Sequence, residues 1–285
     1  MERIGLVVNL NREGAEETTQ DLIDWLKRRD VCVWVEEDVA RVINRMDVGC
    51  NTTDLSKKVD LIVALGGDGT LLRVVRLLKG KDLPILGVNL GSLGFITEIK
   101  REELYGVLQN ILSGQYELEE RMPLEARVVR DGEEIVSFCA LNDVVITSIP
   151  RVITMDVSIN EEYVGTYISD GMIVATPTGS TGYSLSAGGP IVNPLTEVLI
   201  LTPICPHALA IRPMVISKSE YVCIILRSSP EGTILTADGQ QRYTIIKGDK
   251  ILVSKASFMV KLIKSTHRSF YEVLRERLKW EGHFK

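Results

Sequence analysis

Short, nearly all-apolar runs alternate with helically spaced ones along the first hundred residues. Ile4 to Leu10 is the first such run, and residues 14–29 follow with Leu22, Ile23, Trp25 and Leu26 near helical spacing. Val31 to Val35 and Asp60 to Leu65 (DLIVAL) read as further strands, the second apolar enough to be covered on both faces. A helix is predicted over 70–79 and another strand over 84–89. Strands separated by helices imply parallel pairing, and so an N-terminal doubly wound α/β domain. The polar stretch 47–57 (DVGCNTTDLSK) reads as an exposed connection.

After a helix near 101–113 the pattern changes. From Tyr116 to Lys264 the chain is rich in β-branched residues with period-two runs, and Asp131-Gly132 between two of them signals a hairpin. This predicts a β-sandwich-like domain. Helical spacing returns at 267–280, where Phe270, Val273, Leu274 and Leu278 form one apolar stripe that needs a partner. The expected organisation is an α/β domain formed by 1–100 and 267–285 and a β-rich domain over 101–266. The C-terminal helix is expected to return to the first domain, and the active crevice to lie between the two.

Composition narrows the function. With 33 Lys and Arg against 38 Asp and Glu, the chain has a formal charge of −5, which argues against nucleic acid as a partner. It leaves room for a small anion held by one loop and one helix end. The most apolar stretch, Val198 to Ile211, is interrupted by Pro203, Pro206 and His207, so no membrane span is expected. Five scattered cysteines without a CxxC pair, behind a strand-like N-terminus, suggest reduced thiols and a cytoplasmic protein. The three histidines lack metal-ligand spacing, so no protein-built metal site is expected; His207, in an apolar segment, reads as a packing residue.

The candidate chemistry centres on Gly66-Gly67-Asp68-Gly69-Thr70, between a strand and a helix. An open parallel sheet presents its ligand crevice at such a place. The glycines let backbone approach an anion, and the helix offers free N–H groups. A carboxylate there suits a base for an incoming hydroxyl or a metal contact, or else a helix cap. Neither GxxxxGK[ST] nor GxGxxG occurs, so phosphate handling differs from that of P-loop and Rossmann proteins. A second dense region, SDGMIVATPTGSTGYSLSAGGP from Ser169, offers hydroxyls and close-approach glycines suited to a ribose, an adenine edge or a pyrophosphate; a pair of Gly/Ser-rich turns fits it equally well.

These two segments, with VNLGSLGFIT at 88–97, LNDVVI at 141–146, LTPICPHALAIRP at 201–213 and ADGQ at 237–240, resemble the NAD kinase family in content and order. GGDGT alone is shared with diacylglycerol and sphingosine kinases, whereas TPTGSTGYSLSAGGP is specific. The resemblance implies phosphoryl transfer from ATP, or another donor such as polyphosphate, to the adenosine 2′-hydroxyl of NAD. Asp68 would be the catalytic acid/base, with Gly66, Gly67 and Thr70 in the phosphate loop. Nucleotide contacts would come from Gly69, Arg73, Asn142, Asp143, Asp170, Gln240 and the run Thr181, Gly182, Tyr183, Ser184, Leu185 and Ser186. Gly182 stands where many members have alanine, and Ile168 where some carry a basic residue. The family further implies Mg²⁺ bound mainly through the donor's phosphates, and a homodimer or homotetramer. A lipid kinase and a non-catalytic NAD(P) sensor are the alternatives; an acidic chain without a membrane-facing patch disfavours the first, and the carboxylate at 68 the second.

Overall fold

In the computed structural model, β1 (Arg3–Val8), α1 (Ala15–Lys27), β2 (Cys32–Glu36), α2 (Glu37–Val42), β3 (Gly49–Cys50) and α3 (Thr52–Lys58) lead into β4 (Leu61–Gly66). Then come α4 (Asp68–Leu78), β5 (Ile85–Asn89), β6 (Ile99–Lys100), α5 (Leu104–Leu112) and β7 (Leu118–Arg121). The described residues are 1–148, 151–228, 230–264 and 268–280. They fall into two compact units, Arg121–Met259 and the remainder of the chain on either side.

The first unit is built on a sheet of order β3-β2-β1-β4-β5, continued by the late strand Val260–Ile263 and by β7, with β6 beside β5. Neighbours from β2 to β5 run parallel. All six residues of β4 are buried, as its apolar run predicts. α1 turns Leu22, Ile23 and Leu26 into the core, and α4 buries Leu71, Leu72, Val74, Val75 and Leu78. The strand order sets the functional geometry. From β1 the sheet grows through β2 and β3 on one side and through β4 and β5 on the other, so its topological switch point lies between β1 and β4. Ligands of open α/β sheets bind beyond the carboxyl ends of the strands at such a point. Here those ends are the loops after Val8 and after Gly66.

Stretch 47–57 is not an exposed connection. It carries β3 and α3, with Cys50 and Leu55 buried and Asn51 capping α3 through the Thr53 N–H. Its buried residues are too few and too widely spaced to show a period.

The second unit consists of two six-stranded antiparallel sheets. One runs Met214–Ser217, Val198–Ile204, Gly171–Ala175, Asp143–Thr147, Ile234–Ala237, Gln241–Thr244; the other runs Glu162–Ser169, Ile153–Ile159, Val222–Leu226, Lys250–Lys255, Leu124–Arg130, Glu133–Ala140. Alternate residues of both sheets, among them Val144, Met172, Leu199, Val157, Ile224 and Ile251, form one apolar core. The Asp131-Gly132 turn has φ of 52° and 87°, the paired positive values of a tight hairpin. Val145, Ile173 and Ile200 point to the opposite face, where Ala187 and Val192 cover them. The central strands of this sheet are therefore buried on both sides, and the 183–192 segment acts as a lid of packing.

The division falls at 121 and 259, not at 101 and 266. Val260–Ile263 lies parallel to β5, with Leu262 opposite Ile85, and α5 buries Leu104, Leu108 and Ile111 in the first unit's core. A four-residue strand carries the same alternation in either sheet, so its period does not reveal which it joins. The terminal helix Phe270–Leu278 starts on a capping box of Ser269 and Glu272 and buries Val273 and Leu274. Arg268 anchors it, pairing both terminal nitrogens with Glu103 at 2.8 and 2.9 Å and donating to the Glu98 carbonyl at 2.9 Å. Among the described residues no helix is long and apolar enough to cross a membrane.

Leu274→Ala should cost ~2–5 kcal/mol, the usual range for a buried leucine, while Leu278→Ala at a half-buried site should cost clearly less. Urea unfolding of the two variants measures the difference, and equal midpoints would mean that the helix is not docked on this stripe.

Candidate active site

Asp68 opens α4 immediately after the extended cap residue Gly67. Its side chain does not cap its own helix. Oδ1 accepts from the backbone N–H of Ile96 at 3.2 Å, from that of Thr97 at 2.9 Å and from the Thr97 hydroxyl at 2.8 Å; among the described residues, Oδ2 accepts only the Phe95 N–H, at 2.8 Å. Gly94 makes this approach possible, because a Cβ there would collide with the Asp68 carboxylate. Asn89, at the end of β5, holds the same loop by donating to the Thr97 hydroxyl at 3.0 Å and accepting from the Gly91 N–H at 2.8 Å. Each carboxylate oxygen offers about two acceptor directions, and Oδ2, with one donor, keeps one of its own open. Gly69 is exposed at the helix start and Thr70 is buried behind it.

The outcome for Arg73 differs from a simple phosphate contact. Its guanidinium is paired with Glu36 through two 2.8 Å hydrogen bonds and also donates to the Val8 carbonyl at 3.1 Å. The Glu36 side chain is only 6% exposed, so removing its cation would strand a buried charge. Arg73 thus ties β1, β2 and α4 together, and it would reach a ligand only by opening that pair.

In the second unit, Leu141–Asp143 and the 176–186 segment are drawn together. Asp238 accepts the backbone N–H groups of Leu141 at 2.9 Å, Asn142 at 2.7 Å and Asp143 at 3.2 Å. The Asn142 carbonyl accepts from the Thr176 N–H at 2.8 Å, and the Thr176 hydroxyl donates to the Leu141 carbonyl at 2.6 Å. Gly179 is required next to this strand end, since a Cβ would strike the Asn142 carbonyl. Two polar side chains stand out here: Asn142 Oδ1 is buried without a hydrogen-bond partner among the described residues, and Asp143 is 6% exposed. Burial, and secondarily the charge of Asp238, push the Asp143 carboxyl up to about 7.

The run 181–186 divides by exposure. Thr181 donates to the Thr178 carbonyl at 3.3 Å, Tyr183 is exposed, Leu185 is half-buried and Ser186 exposed. Ser184 is fully buried against the Thr202 hydroxyl at 2.8 Å, which makes its side chain a packing group. A methyl at Gly182 would press against the Gly179 carbonyl at 3.3 Å and sit 3.8 Å from both Asn142 Nδ2 and Asp143 Oδ2. Asp170 is half-buried in the bend between the strands Glu162–Ser169 and Gly171–Ala175, and Gln240 is exposed after the Asp238 turn. His207 is exposed and hence not a packing residue; the backbone N–H, not the ring, ties it to the Ile168 carbonyl. The 95–97 clamp and Asp238 lie within VNLGSLGFIT and ADGQ, but nothing in those motifs marks a residue whose task is to hold backbone.

The first unit thus carries a glycine-lined turn and an anchored carboxylate at the switch point of a doubly wound sheet, and the same chain continues into an antiparallel two-sheet unit. The family comparisons agree. Residues 4–116 match the model of the ATP-NAD kinase N-terminal domain and residues 141–265 that of the C-terminal domain. The chain is 45% identical over 282 residues to the NAD kinase of Syntrophotalea carbinolica, covering 98% of this chain and 99% of that one. It is 44% identical over 281 residues to that of Heliobacterium modesticaldum, with the same coverage. Among solved structures, yeast NADH kinase complexed with NADH superposes with a TM-score of 0.93 at 27% identity, covering 100% of this chain and 89% of that one. The NAD kinase from Archaeoglobus fulgidus in complex with ATP gives 0.76 at 27% identity, covering 96% and 98%. The chain belongs to the NAD kinase family, and its enzymatic activity is that of an NAD kinase. Matches across both units leave no place for the lipid-kinase alternative.

The raised Asp143 predicts a pH signature. The unfolded chain releases this proton near pH 4, whereas the folded protein keeps it until about 7. Stability is therefore greatest, as far as this group goes, below about 4, and declines as pH rises through about 7. Asp143→Asn should flatten that slope and raise stability at pH 8 by on the order of 3–4 kcal/mol. Chemical unfolding of both proteins between pH 5 and 8 tests this; parallel profiles would show that Asp143 does not carry the cost.

Proposed function

We propose that the chain transfers the terminal phosphoryl group of ATP to the 2′-hydroxyl of the adenosine ribose of NAD, with Asp68 as the base. The observation that carries this reading is the asymmetry of the Asp68 carboxylate: Oδ1 holds three donors and Oδ2 one. A carboxylate fixed in this way cannot rotate, and its open lone pair has one direction in which to take a proton. Attack in line on the phosphoryl group then needs little movement of the protein, so catalysis rests on positioning and electrostatics. Gly66, Gly67, Gly69 and Thr70 are the backbone that approaches the donor's phosphates at the N-terminus of α4.

Asn142 and Asp143 hold NAD. An acceptor buried without a donor costs about 1–3 kcal/mol, and a ligand hydroxyl or amino group recovers it at Asn142 Oδ1. Asp170, Gln240, Thr181 and Tyr183 are further contacts, while Leu185, Ser184 and Ser186 contribute through the backbone and shape of their turn. Magnesium fits this arrangement as a companion of the donor. Asp68 Oδ2, with one acceptor direction open beside the turn, would offer such an ion one ligand at most. When bound through the donor's phosphates, the ion spreads their charge. ATP is the donor the family model names, and polyphosphate suits the same backbone cradle. A homodimer or homotetramer in the cytoplasm completes the proposal, supported by family resemblance and scattered free cysteines.

Asp68→Asn keeps the shape and the acceptor oxygen but removes the base. Turnover of NAD to NADP should fall by roughly 10²–10⁴-fold, with NAD affinity little changed. Single-turnover kinetics with NAD titration separates the two effects. Near-full turnover at saturating NAD would reduce Asp68 to a clamp for the 95–97 loop.

A further inference from the structure

The switch point has two loops, and only one has been given a role. β1 ends at Val8, and the chain turns through Asn9–Gly14 into α1. This turn lies against the GGDGT strand: the Asn9 N–H donates to the Leu65 carbonyl at 2.9 Å, and Asn9 Cβ is one of the atoms a side chain at Gly66 would meet. The turn is also internally fixed. Asn9 Oδ1 accepts the Asn11 N–H at 3.1 Å, its carbonyl accepts the Arg12 N–H at 3.1 Å, and the Arg12 carbonyl accepts the Ala15 N–H at 3.1 Å.

Arg12 projects from this turn into the gap between two motifs. One guanidinium nitrogen lies 3.6 Å from the point a Cβ on Gly67 would occupy, and the other 3.5 Å from the corresponding point on Gly91. It therefore spans the GGDGT turn and the NLGS turn that follows β5. Arg3, Arg45, Arg73, Arg101 and Arg268 of the same unit all end on carboxylates. Arg12, by contrast, forms no side-chain hydrogen bond or ion pair among the described residues. Asp68, the carboxylate of the GGDGT turn, is already engaged by the 95–97 loop. What the two glycine turns and this unpaired planar cation offer together is a place for a polyanion with several oxygens, which an arginine fork contacts in pairs.

We propose that Arg12 is a phosphate-binding residue of this kinase, gripping the polyphosphate chain of the donor across Gly67 and Gly91. The assignment rests on the reading that the donor's phosphates lie at the Gly66–Asp68 turn. It gives Arg12 the phosphate role that Arg73, bound to Glu36, does not have free. It also makes the donor's recognition independent of its base, so that ATP and inorganic triphosphate depend on Arg12 alike.

The test is steady-state kinetics of wild type, Arg12→Ala and Arg12→Lys with ATP and NAD, together with calorimetric titration of each protein with inorganic triphosphate. Arg12 is exposed and its side chain bonds to none of the described residues, so all three proteins should share one unfolding midpoint. Arg12→Ala should raise the KM for ATP by roughly 10- to 100-fold, the effect of losing a charged hydrogen-bonding pair, while the KM for NAD stays near wild type. Triphosphate affinity should fall in parallel, and Arg12→Lys should recover part of both, keeping the charge without the fork. An unchanged ATP KM, or a rise in the NAD KM instead, overturns the proposal. If triphosphate binds wild type and Arg12→Ala equally, the proposal fails even if Asp68 proves to be the base. If triphosphate binds neither, it is the placement of the donor phosphates at this turn that fails.

Discussion

The Asp68 carboxylate is bound by a loop some thirty positions further along the chain, and the rest of the first unit's site depends on that contact. Three backbone N–H groups and one hydroxyl from 95–97 converge on it. Hydrogen bonds to a charged acceptor are among the stronger ones, at about 1.5–3 kcal/mol each. The contact fixes the side chain in one rotamer and pins the long β5–β6 connection over the start of α4. The connection is in turn supported from behind. Arg277 of the terminal helix lies over the Phe95 ring at 5.6 Å, and Arg268 holds the Glu98 carbonyl. A helix at the far end of the sequence thus helps to hold the residues that orient the base.

The second unit uses a carboxylate in the same way, at some cost to its neighbour. Asp238 is occupied by the N–H groups of 141–143, which shapes the strand end that presents Asn142 and Asp143. Those two side chains receive nothing comparable. One buried amide oxygen without a partner and one buried carboxyl with a raised pKa are a destabilising combination in the free protein. Such groups persist where a ligand supplies the missing partners, which makes this corner less stable than an apolar one and more selective.

Much of this was legible in the sequence. The DLIVAL run announced a strand buried on both faces, Asp131-Gly132 announced a hairpin, and GGDGT between a strand and a helix located the switch point. Other features were not legible. The strand Val260–Ile263 reads like any sandwich strand, because period-two alternation does not identify the sheet it joins. The fate of Arg73 depended on Glu36, a partner 37 positions away, and no local pattern links them. Ser184, one hydroxyl among many in its motif, is buried against the Thr202 hydroxyl, a placement that only packing reveals. Asp238 and the 95–97 loop stood inside motifs already noticed, but a residue whose task is to hold backbone carries no chemical mark of its own.

Amide hydrogen exchange at Phe95, Ile96 and Thr97 tests the central contact most directly, in wild type and in a folded Asp68→Ala protein. If the carboxylate pins the loop, these three amides are strongly protected in wild type and lose that protection together on substitution, while amides within β4 and β5 keep theirs. Unchanged exchange at 95–97 in Asp68→Ala would contradict the account, because the loop would then hold its shape without the carboxylate on which the site is said to depend.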